Sequence, residues 1–253
     1  VDGALAATNV YVRLVRPAAG TSTGSITHAS SGAVSQSMPV SGTAYTWRAY
    51  NDCYVSGIYA NPANTTAITC ATNAASGQLK NFDTGAGLPV HVAIAASSVL
   101  PATTGSAPAQ ATDAYNTFFN VASVIGNLRL STNLAYGTLT FTGLDAGKTY
   151  TFVTTGDRNS SGVVLSTAFT IMDVANTAMV NASSAGVAVS AVTIEGDTST
   201  FNTAYNTANG YVARWTGIQP GADGDFSIHY RAVANEAYGP SVYMLAEEPN
   251  TTP

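Results

Sequence analysis

The stretch "YGTLTFTGLDAGKTYTFVTTG" (Tyr136–Gly156) decides the fold class. From Tyr136 to Thr142 the residues alternate, with Leu139 and Phe141 on one face and Thr138, Thr140 and Thr142 on the other. That period of two belongs to a half-buried strand. Gly143 to Gly147 interrupt it with turn residues, glycine supplying the positive φ that a tight turn needs. "YTFVTT" then resumes with aromatic and β-branched residues, the composition of a second strand. The same frame, T-G-[L/I]-x-x-G followed by an aromatic strand, recurs in "RWTGIQPGADGDFSI" (Arg214–Ile228). Both read as hairpins, in which the second strand folds back on the first.

Working outward, the same grammar covers most of the chain. "PVHVAIA" (Pro89–Ala95) sets Val90, Val92 and Ile94 against His91. "NVYVRLV" (Asn9–Val15) and "AYTWRAY" (Ala44–Tyr50) alternate too, the latter pointing Tyr45 and Trp47 one way and Arg48 and Tyr50 the other. "VVLSTAFTI", "GVAVSAVTI", "GYVARWTG", "DFSIHYRAV" and "SVYMLAE" are short, β-rich and bounded by turn residues. One segment, Thr112–Ser123, has a helical face of Ala114, Phe118 and Val121 behind a capping Thr112 or Asp113. Gly20–Gly42, Asn61–Gly77 and Pro101–Asp113 read as loops. The expectation is an all-β sandwich or jelly roll of ten or more antiparallel strands with at most one or two short helices. Residues 1–253 form one unit on this reading, or two packed sub-domains divided near 101–113.

Composition narrows the function. Of 253 residues only 9% are charged, against roughly 25% in ordinary soluble domains. Lysine occurs at Lys80 and Lys148 alone. Nucleic-acid binding needs clustered cations on phosphates, so it is excluded as a partner, and a basic membrane patch fails likewise. No apolar run reaches the length of a membrane helix. No leader pattern stands at the N-terminus, so a mature chain is expected. The surface is left to Thr, Ser, Asn and Gly, as in secreted chains.

Two cysteines, Cys53 and Cys70, lie close in sequence without a CxxC or metal-ligand spacing. One disulfide is the simplest pairing in an oxidising compartment, two buried thiols the other. Sequons stand at Asn64, Asn159, Asn181 and Asn250.

Catalytic constellations are absent from the pattern. "GTSTG" (Gly20–Gly24) fits G-x-S-x-G around Ser22, but no helical period follows as a nucleophile elbow requires. His28, His91 and His229 have no partner that the sequence can place. Asp223 and Asp225 are a bare candidate for Ca²⁺, which needs six or more oxygens. No cofactor is implied. For ligand binding, Asp157 and Arg158 in "TGDRN" offer a sugar an acceptor and a planar donor. The aromatic cluster of Tyr45, Trp47, Tyr50, Tyr54 and Tyr59 reads either as a core anchor beside the cysteines or as a stacking platform for a sugar ring.

The "TGL-x-x-G-K-T-Y-T-F" frame with its later "dG-x-F-x-I" strand resembles secreted bacterial and archaeal β-sandwich modules of the galactose-binding-like and fibronectin-III-like kinds, over Leu128–Glu248. The resemblance implies glycan binding or a structural part in a large surface protein. Sparse charge favours the structural role: strand edges without lysine invite pairing with neighbours, and like copies repel one another weakly. The expected function is therefore a non-enzymatic extracellular subunit of a filament, sheath or surface layer, partnered by itself. Its assembly strand would be Val10, Tyr11, Val12, Leu14 and Val15, added to a neighbour's sheet. The alternative is a carbohydrate-binding module of a larger secreted protein or glycan-active enzyme.

Overall fold

A computed structural model describes residues 18–29, 32, 34–53, 63–70, 72–97, 99–102, 105–118, 127–131, 135–175, 178–192 and 196–249. In chain order the elements are β1 (Gly20–His28), β2 (Gln36–Ala44), β3 (Trp47–Asp52), β4 (Ala74–Lys80), β5 (Gly87–Ala96) and β6 (Val99–Ala102). The helix α1 (Asp113–Phe118) follows, then β7 (Asn127–Leu130), β8 (Tyr136–Thr142), β9 (Tyr150–Thr155), β10 (Ser166–Met172) and β11 (Val180–Asn181). The last strands are β12 (Ala188–Val192), β13 (Gly196–Asn202), β14 (Ala213–Ile218), β15 (Phe226–Ala232), β16 (Ala237–Tyr238) and β17 (Val242–Glu247). The all-β expectation holds, with every strand pair antiparallel and one six-residue helix among the described residues.

Two sheets make the sandwich. One has seven strands in the order β12-β13-β10-β15-β8-β5-β4, the other five in the order β11-β14-β9-β17-β3. A three-stranded sheet, β16-β7-β6, adds Leu128, Leu130 and Ala237 to the same core. Strands β3, β4 and β5 precede residues 101–113, yet they lie in the same two sheets as strands that follow it.

The central strands β9 and β17 of the five-stranded sheet are buried on both faces, so their burial does not alternate along the strand. Its inner face supplies Phe152, Trp215, Tyr243 and Leu245 to the main core, where Phe141 of the facing sheet lies 5.5 Å from both Phe152 and Tyr243. Its outer face presents Val153, Val242, Met244 and Ala246 to a smaller core built on Tyr50, Ala114 and Phe118. Thus α1 exists to cover that second face. Thr112 caps it by accepting the N–H of Tyr115 at 3.3 Å. Ala114 and Phe118 are buried as the periodicity predicted, and Val121 lies outside the described residues.

The two repeated frames are not hairpins. β8 belongs to the seven-stranded sheet and β9 to the five-stranded one; β14 and β15 make the reverse crossing. Each frame is an arch that carries the chain across the core. A Gly-containing turn reverses the chain without fixing which sheet the next strand joins, and here Phe141 and Phe152 meet across the core at 5.5 Å, one from each sheet. Because β8 pairs with β15 and β9 with β14, the two arches lie side by side.

Two further expectations fail. Gly20–Gly42 is not a loop: it holds β1 and most of β2 in one continuous antiparallel ribbon from Gly20↔Ala44 to His28↔Gln36. Ser and Thr can form a strand whose both faces meet water, and such a strand has no apolar alternation to detect. Asn61–Gly77 ends in strand from Ala74 onward, while its middle runs as an irregular strap through Cys70.

Candidate assembly surface

Among the described residues the β1–β2 ribbon is a sheet of two strands. It leaves the sandwich just before β3, and none of its described residues is fully buried. Its apolar side chains are few: Ile26 faces Met38 across the ribbon, and Met38 is 54% exposed. Thr21 and Thr43 join hydroxyls at 3.0 Å. β2 carries Pro39, which cannot donate to a ladder and so suits an edge. β1 carries no proline and no Lys, Arg, Asp or Glu. Its outer edge therefore lacks the features that normally discourage strand addition.

The four edges of the sandwich differ in protection. The β3 edge is covered by the strap: Thr66 bridges Asn51, and Asp52 N–H donates to the Thr66 carbonyl at 2.8 Å. Asn51, wholly buried, behaves like an added peptide unit, accepting the Ile68 N–H at 2.8 Å and donating to the Ile68 carbonyl at 3.0 Å. The Cys53–Cys70 disulfide locks this strap, as expected. The β4 edge ends in Lys80 and has a register shift between Gln78 and Lys80. β11 is two residues long. Among the described residues β12 has no strand on its outer side, and its Ala188, Val189, Ser190 and Ala191 are exposed and uncharged.

Among the described residues the sugar-binding candidates divide between the main core, the smaller core and the loop after β9. Tyr45 and Trp47 were expected on one face, but a bend at Thr46 separates them. Trp47 packs on the main core, 5.9 Å from Tyr150, and its Nε1 donates to Glu247 at 2.9 Å. Tyr45 packs instead on the smaller core beside Tyr50, which is buried edge-on against Phe82 and Phe118. Asp157 is buried: its Oδ1 accepts the N–H groups of Asn159 and Asn206, and its Oδ2 the hydroxyl of Thr207. Arg158 lies over the Tyr238 ring at 5.7 Å. Tyr54, Tyr59 and the assembly strand Val10–Val15 lie outside the described residues.

Ser22 sits mid-strand in β1, without the strand-to-helix turn of a nucleophile elbow. Asp223 and Asp225 line a concavity with Asp173, and the hydrogen bond that a protonated Asp225 donates to the Asp223 carboxylate raises the pKa of the Asp225 carboxyl. Among the described residues no three acidic, His or Cys side chains are placed to hold a metal ion. His229 lies half-buried beside the Tyr136 ring, and burial, then the charge of Arg231, lowers its pKa. Sequence reasoning missed the ribbon and Asn51. Pro39 between two Ser/Thr runs was the one usable signal for the ribbon, and Asn51 had none.

No protein-family model matches the chain, and no curated protein matches it. A solved structure of carbohydrate-binding modules from the beta-sandwich superfamily aligns over 91% of this chain and 74% of its own length, at 13% identity and a TM-score of 0.27. At that score the likeness carries no argument about this chain.

Proposed function

We propose that this chain is a non-enzymatic structural subunit of an extracellular assembly, a filament, sheath or surface layer, whose copies join through strand edges. The observation that carries this reading is the β1–β2 ribbon. Among the described residues the ribbon has two strands, and a two-stranded ribbon is marginal in water and gains stability from a third strand. A second copy supplies that strand, and the alternating segment Val10, Tyr11, Val12, Leu14 and Val15 has the pattern to do so. The disulfide supports an oxidising location. The inward packing of Trp47 and Tyr50 supports this reading over sugar stacking.

Light scattering and negative-stain microscopy test it. Wild-type chain is expected as particles well above 25.8 kDa or as fibres. Thr23→Lys with Ser25→Lys, both exposed on β1, place two cations on the free edge and are expected to leave monomers with unchanged circular dichroism. A wild-type sample that stays at 25.8 kDa at high concentration overturns the proposal.

A further inference from the structure

We propose that Asn159 is an acceptor for an N-linked glycan. Three sequons fall on described residues, at Asn64, Asn159 and Asn181, and their amides differ. Glycosyl transfer needs the side-chain nitrogen free and reachable. Asn64 Nδ2 donates to the Phe82 carbonyl at 2.8 Å, and its Oδ1 lies against Gly85, 2.7 Å from where a Cβ would stand. Asn181 Nδ2 donates to Ser199 Oγ at 3.0 Å. Asn159 is exposed, and its Nδ2 donates to nothing among the described residues.

The surrounding loop, between β9 and β10, presents that nitrogen from a fixed base. Arg158 N–H donates to the Thr203 carbonyl at 3.0 Å and Ser160 N–H to the Ala204 carbonyl at 2.7 Å. Asn159 N–H donates to Asp157 Oδ1 at 2.9 Å, and its own Oδ1 accepts the Thr207 hydroxyl at 3.1 Å. Asn159 takes φ +57°, the left-handed region that puts it at the tip of a turn. Ser161, the hydroxyl residue of the sequon, is exposed as well. A second observation points the same way. Val163 and Val164, in the same loop, are 40% and 78% exposed. A bulky, hydrated glycan at Asn159 would screen this apolar tip on a chain with few charges for solubility.

The donor class is an oligosaccharide linked through phosphate or pyrophosphate to a lipid. The Asn159 Nδ2–C1 bond forms as the C1–O bond to the lipid phosphate breaks. The amide proton goes to a base of the transferase and the lipid phosphate leaves; nothing is oxidised or reduced.

The test uses purified full-length chain with its disulfide intact, a lipid-linked donor, and an oligosaccharyltransferase that needs only the three-residue sequon. Glycopeptide mapping should find the glycan on Asn159, with Asn64 and Asn181 bare until the chain is reduced and unfolded. Asn159→Gln should abolish that glycan. Ser161→Ala, which keeps the asparagine and its turn, should do the same. A folded chain bare at Asn159, or one modified at Asn64 or Asn181 as fully as at Asn159, overturns the proposal.

Discussion

The backbone N–H of Leu144 donates to the carbonyl of Gly224 at 3.0 Å, and this bond ties the two sheet-crossing arches together. Gln219 adds a second tie, donating to the Ala146 carbonyl at 3.1 Å. Gly224 has φ +78°, and any Cβ there would run into the Leu144 carbonyl, a backbone atom that cannot swing aside. Gly224→Ala therefore carries both a left-handed backbone and a clash, and should cost roughly 3 kcal/mol. Gly162, at φ +81° with nothing within 4 Å of its Cβ position, isolates the backbone cost, and Gly162→Ala should lose only about 1 kcal/mol. Urea midpoints of the two variants decide the matter; equal losses would show that the arches do not depend on close approach.

Three buried tyrosines make a second prediction. The rings of Tyr230 and Tyr243 are fully buried, and among the described residues neither hydroxyl has a partner. Burial pushes both hydroxyl pKa values up. Tyr230 keeps its place because its ring fills the space over Gly137, its cross-strand partner, where a side chain would otherwise stand. Tyr150 differs: its hydroxyl accepts the Asp145 N–H at 2.9 Å, although burial still raises its pKa to about 12. Removing an unbonded hydroxyl removes a desolvation cost, whereas removing a bonded one strands its donor. Tyr230→Phe and Tyr243→Phe should be neutral or stabilising, and Tyr150→Phe should lose about 1 kcal/mol in thermal or urea unfolding.

What could be read from the sequence follows from which faces are dry. β5 alternates in burial residue by residue, Leu88, Val90, Val92 and Ile94 inward and His91 outward, because one of its faces meets water. Strands buried on both faces lose that code, so the second core over β9 and β17 was invisible although both strands were found. The arches were mistaken for hairpins because a Gly-rich turn specifies a reversal of the chain and not the sheet the next strand joins. The β1–β2 ribbon escaped for the opposite reason to β9: wet on both faces, it needs no apolar period at all. As for the candidate site, Tyr45 and Trp47 share a parity that the bend at Thr46 destroys, and no local propensity announces that bend.

The disulfide lends itself to a direct measurement. Cys53 and Cys70 are 17 residues apart and both fully buried, joining the end of β3 to the strap over its edge. A loop of that size should contribute about 3 kcal/mol by restricting the unfolded chain. The Cys53→Ala, Cys70→Ala double variant should lose that amount, and reductant should lower wild-type stability equally while leaving the double variant unmoved. The loss belongs in stability, and circular dichroism of the folded variant should still report a β-protein, since the ladders of both sheets are built without the strap.

His229 supplies the pH dependence. It sits mid-strand in β15, paired to Thr138 and Thr170, with the Tyr136 ring 5.4 Å away. Burial first, and the charge of Arg231 second, lower its folded pKa below the ordinary 6.5. The sign follows from proton counts: between the lowered folded value and 6.5 the unfolded chain holds the extra proton, so stability rises with pH across that window. Descending from neutral pH, the native state should lose stability below about pH 6.5 and level off once the folded imidazole is itself protonated. His229→Gln keeps a polar side chain and removes the titration. The difference in unfolding free energy between wild type and variant should therefore shift against wild type as pH falls from 7.5 toward 5. A difference that stays constant over that range would mean that the imidazole is as easily protonated in the folded sheet as in water.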